Sequence, residues 1–203
     1  MKKSNITQIG LYLIAAAIIL TAPSCSKEEA VAPTVIVPPV TAWTGTLYNK
    51  TDVNANRYLD VISKTFVTNG NFDIAYGNGS VVGNDAFIGG PTSLSIFTYY
   101  AVVGSNVSEF YLLPVAQQAK FDTLKNQLAV AGIATSGTKT AASNGIGTES
   151  VRINTSGGLA NGLVFAMKLR SQTPAPTWVV AKVTSAPTGT ATTPGNVSLS
   201  LKW

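Results

Sequence analysis

Apolar and polar side chains alternate with a period of two along most of this chain, and that period predicts strands. The clearest case closes the sequence, where Val197, Leu199, Leu201 and Trp203 alternate against Ser198, Ser200 and Lys202. Residues 149–154, 163–170 and 178–184 read as three further strands. Near the start of the domain, Trp43, Gly45 and Leu47 alternate with Thr44, Thr46 and Tyr48 and predict a strand over 42–48. Residues 57–67 are β-like, and Asn69-Gly70 after them favours a tight hairpin turn. That turn should fold the segment onto residues 72–76, with Phe72, Ile74 and Tyr76 on one face, until Gly77-Asn78-Gly79 ends the strand. A loop with a brief strand is expected over 81–90. Residues 94–103 are apolar on both faces, as a central strand covered on both sides would be, and 107–113 predict another strand.

One stretch changes to the helical period. Pro114 suits a first turn, Phe121, Leu124, Leu128 and Ala131 fall on one face, and Gly132 is placed to stop the helix. A helix around 115–131 is therefore expected to pack across a sheet. Residues 135–147 form a glycine-, serine- and threonine-rich loop, long for a compact domain and so a candidate for binding. Short strands in this number with one helix predict an all-β fold, mainly an antiparallel sandwich or open barrel.

The start of the chain follows another pattern. Met1-Lys2-Lys3 is basic, Ile9 to Leu20 is apolar apart from Gly10, and Ala22-Pro23-Ser24 places small residues ahead of Cys25. About a dozen apolar residues fall well short of the roughly 20 that span a bilayer as a helix. A basic start, a short apolar run and small residues make a secretory signal peptide. Cys25 is the sole cysteine, and an unpaired cysteine in an exported chain calls for a reason. Cleavage before it would leave its thiol to form a thioether to diacylglycerol, and a terminus carrying more than one acyl chain anchors stably.

This arrangement resembles the lipobox of bacterial lipoproteins, with departures at Ala22, where leucine is commonest, and at Pro23. Ordinary signal peptidase cleavage near Ser24 is the alternative. Ser26-Lys27-Glu28-Glu29 resembles the acidic tetrads behind the lipidated cysteine in lipoproteins of the Bacteroidota, which implies export to the outer leaflet of the outer membrane. Pro33, Pro38 and Pro39 favour extended backbone. The chain thus divides into a lipoprotein signal peptide (1–24), a lipidated, proline-containing tether (25–40) and a single β-rich domain (41–203).

Charge narrows the partners. The net charge of +5 falls to +3 once Lys2 and Lys3 leave with the signal, and no basic run gives nucleic acid a footprint. Only 11% of residues are charged, while Thr, Ser, Asn and Gly are abundant, as on the solvent faces of extracellular β domains. Histidine is absent, which removes Ser-His-Asp triads, His-based zinc sites and His-ligated haem. No nucleophile elbow, phosphate-cradling glycine loop or Asp-rich calcium loop is present. Asp52, Asp60, Asp73 and Asp85 fall in separate turns and strands and are expected to be solvated or to cap turns. No catalytic or metal site and no cofactor is expected, cofactor-binding residues stay unassigned, and Cys25, as the lipidation site, is the one residue given a chemical role. A carboxylate-only hydrolase would need a cleft holding two acidic side chains within about 10 Å.

Binding has more to build on. Phe97, Tyr99, Tyr100, Phe110 and Tyr111 make an aromatic-rich region suited to a sugar face or a flat cofactor, although strand spacing also suits them to a core. Asn-Phe-Asp-Ile-Ala-Tyr (71–76), Leu-Val-Phe-Ala-Met-Lys-Leu (163–169), Trp-Val-Val-Ala-Lys-Val (178–183) and Val-Ser-Leu-Ser-Leu-Lys-Trp (197–203) resemble segments of the HmuY-like surface lipoproteins of Bacteroidota. That resemblance, over a minority of the chain, implies an all-β haemophore with one helix. The family's histidine ligands have no counterpart here, and Met167 alternates with Phe165 and Leu169 toward a core. Asp122-Thr123-Leu124 also matches the short motif of Bacteroidota O-glycosylation. The expectation is a lipid-anchored, non-catalytic surface domain, held to the outer membrane and binding a glycan, small molecule or protein. The alternative is a haemophore-like cofactor binder.

Overall fold

The closing alternation folds as its pattern dictates: Val197, Leu199 and Leu201 are fully buried and Ser198, Ser200 and Lys202 half-buried. The computed structural model describes residues 36–48, 56–67, 71–79, 85–91, 106–140, 150–153, 161–171, 177–186 and 195–203. Among them are β1 (Ala42–Leu47), β2 (Tyr58–Asp60), β3 (Thr65–Val67), β4 (Ile74–Gly79), β5 (Asp85–Gly89) and β6 (Glu109–Leu112). Helices α1 (Val115–Gln118) and α2 (Gln127–Ala134) follow, then β7 (Thr138–Lys139), β8 (Ser150–Ile153), β9 (Val164–Leu169), β10 (Thr177–Ser185) and β11 (Val197–Lys202). The strands form two antiparallel sheets, ordered β1-β11-β10-β9-β6-β7 and β3-β2-β4-β5-β8. The fold is all-β.

The two sheets share one core. Leu47, Phe110, Phe165, Met167, Val179 and Leu199 of the larger sheet meet Leu59, Ile74, Tyr76 and Ile88 of the smaller. Each such side chain, taken fully out of water, contributes roughly 1.5–3 kcal/mol. The other face of the larger sheet holds a second cluster, in which Val164, Ala166 and Val180 lie beneath Phe121, Leu124, Val130 and Ile133 of the helical segment. β11 lies between β1 and β10, and reciprocal hydrogen bonds between Thr41 and Trp203 (2.7 and 2.9 Å) extend its pairing with the start of the domain.

Four features differ from the sequence reading. First, residues 115–131 do not form one helix. α1 is followed by a 3-10 turn, Phe121–Thr123, and Leu124 is extended (ψ 118°). Asn126 then caps α2, its side chain accepting from the Ala129 N–H at 2.8 Å. The cap restarts the helix in a new phase, so Val130, Ile133 and Ala134 face inward and Leu128 is 68% exposed. Gly132 lies inside α2 rather than at its end.

Second, β4 pairs with β2 rather than with β3. β2 and β3 form their own hairpin, in which Asp60 Oδ1 accepts from the Ile62 and Ser63 N–H groups (3.0 and 3.1 Å) and Lys64 adopts φ 60°. Asn69 and Gly70 lie outside the described residues. Phe72 leaves the Ile74–Tyr76 face and stacks on Tyr58, with centroids 4.8 Å apart. Third, the strand continues through Gly79. Fourth, the compact unit begins at Val37, upstream of residue 41. Gln127 N–H donates to Pro38 O (3.1 Å), Val40 N–H donates to Lys125 O (3.1 Å), and Val40 packs on the helical cluster.

Gly77 sits within β4 because the ring of Phe87 crosses it: a Cβ there would lie 2.2 Å from the Phe87 Cζ. Phe87 is fully buried and has little room to yield. Gly77→Ala should cost about 1–3 kcal/mol by overpacking, lowering Tm by about 2–4 °C for each kcal/mol. An unchanged melting curve would contradict this packing.

Candidate functional site

Register decides what shares a face. Glu109 lies opposite Lys168, and Lys168 opposite Trp178, so one row crosses β6, β9 and β10 on the outer face of the larger sheet. The adjacent row runs Lys139, Tyr111, Ala166, Val180. The helical segment buries Ala166 and Val180 completely. Glu109, Tyr111, Lys168 and Trp178 remain half-exposed at the margin of that cover, and Lys139 is exposed.

The aromatic pair is edge-on: Tyr111 and Trp178 have centroids 5.1 Å apart and planes at 62°, a favourable geometry for ring quadrupoles. The Lys168 ammonium stands 5.8 Å from the Trp178 centroid, within cation–π range. Tyr111 donates its hydroxyl proton to Glu109 Oε2 at 2.8 Å, and Lys139 forms an ion pair with Glu109 Oε1. The Lys139 hydrogen bond holds the Glu109 carboxyl below the ordinary carboxylate range, against its partial burial. Burial, and then the bond to Glu109, push the Tyr111 hydroxyl up to about 12. The pair with Lys139 is exposed enough to contribute only about 0–1 kcal/mol; it orients the carboxylate more than it stabilises the fold. Behind it, Gly137 lets the chain leaving α2 approach Tyr111, since a Cβ there would lie 2.8 Å from the Tyr111 Cβ.

A second polar cluster is interior. Asp73 is fully buried, not solvated as its sequence position suggests. Its Oδ1 accepts from Asn106 Nδ2 (3.2 Å) and Arg170 Nε (3.1 Å), and its Oδ2 from the Val61 N–H (3.0 Å) and Arg170 Nη2 (3.4 Å). Ser108 donates to the Asp73 carbonyl at 3.0 Å. The same Arg170 Nη2 lies 2.9 Å from Asp60 Oδ1. Burial pushes the Asp73 carboxyl above the ordinary range, while the Arg170 hydrogen bond and charge pull it back. Burial also opposes the Arg170 charge, but Asp73 and Asp60 together hold the guanidinium above its ordinary range. Two carboxylates therefore meet on one cation. Asp73 is closed to solvent, and each of its oxygens already accepts two hydrogen bonds, so the arrangement acts as a strut joining β2, β4 and the end of β9.

The residues singled out in the sequence are placed unevenly. Phe110 and Met167 are fully buried in the sandwich core, so Met167 is packed away from solvent. Tyr111 reaches the outer face, where it meets Trp178, a residue the sequence marked only as part of a strand. Asp60 caps its turn as expected, and Asp73 does not. Thr123 is exposed on the 3-10 turn, its hydroxyl donating to Lys120 O at 2.8 Å. Cys25, Asp52, Phe97, Tyr99, Tyr100, residues 94–103 and residues 141–147 of the long loop lie outside the described residues, as does the side chain of Asp85. Among the described residues no group of three His, Cys, Asp or Glu side chains is arranged to hold a metal ion.

Fold and site define a class: a two-sheet antiparallel β protein with a helical segment across one outer face and an aromatic, charged surface at the margin of that segment. No protein-family model matches the chain, and neither a curated protein nor a solved structure matches it.

Proposed function

We propose that this chain is a lipid-anchored β-sandwich of a bacterial outer membrane whose domain binds a ligand and does not transform one. The observation that carries the binding reading is the Glu109–Lys168–Trp178 row with Tyr111 beside it. The partly exposed aromatic pair there is framed by a donor and an acceptor charge, the mixture of apolar area and directed polar groups on which ligand sites rely. The signal-like start, Cys25 and the acidic residues after it support the anchor and the outer-membrane address. Met167, buried between Phe165 and Leu169, favours the binding module over a haem carrier.

A thermal-shift screen of the full chain in detergent, against oligosaccharides, short peptides and amphiphiles, tests the binding reading. A ligand present at 100 times its Kd should stabilise the fold by about 2.7 kcal/mol. The expected result is a saturable rise in Tm for one class, absent from Trp178→Ala. Identical melting with every class would overturn the reading.

A further inference from the structure

We infer that the ligand of this outer face is a saccharide, an inference that rests on the binding reading above. Trp178 and Tyr111 are partly exposed at the margin of the helical cover, where both also pack on the helical cluster, their centroids 5.1 Å apart. Glu109 offers an acceptor carboxylate, and Lys168 and Lys139 offer ammonium donors in the same two rows. A pyranose has the matching duality. Its C–H face packs on an aromatic ring, and the hydroxyls around its rim take hydrogen bonds from charged groups, which are stronger than those from neutral ones.

Other chemistries fit this surface less well. A wholly apolar ligand would take water from three charged side chains and offer them no hydrogen bond in return, which is costly. Nucleic acid affinity grows with the number of phosphates neutralised, and Glu109 already pairs with one of the two lysines. A quaternary cation would meet the like charge of Lys168, whose ammonium stands 5.8 Å from the Trp178 centroid. A neutral or singly acidic sugar meets none of these objections. The hydrogen bond from Lys139 holds the Glu109 carboxyl below the ordinary carboxylate range, which favours the charged acceptor.

Isothermal titration of the full chain in detergent with β-glucan, α-glucan, mannan, chitin and uronate oligomers tests this. Saturable binding of one of them is expected, with a change in tryptophan fluorescence. Trp178→Ala should weaken that binding by about tenfold or more, as loss of an aromatic anchor does. Lys168→Ala and Glu109→Gln, which keep both rings, should weaken it by a smaller factor, with far-UV circular dichroism unchanged. Sugar binding equal in all three variants would overturn the placement. Silence toward every oligosaccharide, while a peptide or amphiphile raises Tm, would overturn the saccharide and leave the binding reading standing. Silence toward every class would overturn both.

Discussion

A chain that ends at Asn196 should not fold. The seven residues removed form β11 and the terminal Trp203, and β11 lies between β1 and β10, so its loss strips hydrogen-bond partners from both neighbours. Val197, Leu199 and Leu201 are fully buried and Trp203 nearly so. Truncating one such leucine to alanine typically costs about 2–5 kcal/mol. Losing all four side chains and two ladders exceeds the roughly 5–15 kcal/mol that holds a domain together. β1 suffers twice, because its register runs entirely against β11, from Ala42 opposite Lys202 to Leu47 opposite Val197. The expected result is a chain without near-UV dichroism and open to protease throughout 37–196. A truncated chain that keeps the wild-type near-UV spectrum would contradict the topology.

Asp73→Ala should cost about 3 kcal/mol, the largest loss expected from one substitution outside the apolar core. Removing one partner of a buried ion pair typically costs about 3–5 kcal/mol, because the other charge is left uncompensated. The lower end applies because the Arg170 side chain is 30% exposed and keeps Asp60 as a partner. The Val61 N–H and the Asn106 amide lose their acceptor as well. Urea denaturation of the variant should show a lower midpoint with an unchanged slope; a midpoint equal to wild type would show that the strut adds nothing.

The same carboxyl sets a pH dependence whose sign follows from its raised pKa. In the folded chain Asp73 holds its proton more tightly than in the unfolded chain, where it titrates near 3.9. Between the two values the native state carries more bound proton, so this group's stability contribution is fully present below the unfolded value and declines as pH rises through the folded one. Glu109 and Asp122, both lowered chiefly by hydrogen bonds to Lys139 and Lys182, contribute the opposite slope. The difference in stability between wild type and Asp73→Asn isolates the first effect and should shrink as pH rises from about 4.

What could be read from the sequence was whatever a local period encodes. β11 has one polar and one apolar face, so its pattern states both its conformation and its orientation. The α2 cap was also written locally, as Asn126 ahead of Ala129, but the apolar stripe from Phe121 to Ala131 outweighed it. β4 was harder. An Asn-Gly pair is a strong local hairpin signal, whereas the turn that pairs β2 with β3 uses Asp60 as a cap and Lys64 at φ 60°, which no two-residue motif announces. Asp73 and Arg170 lie 97 residues apart, and only the strand order brings them together. The outer-face row is of the same kind: Glu109, Lys168 and Trp178 become neighbours through register across three strands, not through spacing within one.

The proposed anchor would place this domain at a membrane surface, and Cys25 is where that proposal stands or falls. The decisive measurement is mass spectrometry of the full-length protein extracted from membranes of a bacterial host, read alongside the Cys25→Ala variant. The expected result is an amino-terminal peptide that begins at Cys25 and carries acyl chains, and a variant released from the membrane fraction. An unmodified peptide beginning at or near residue 25, or a Cys25→Ala protein that still partitions fully with membranes, would contradict it.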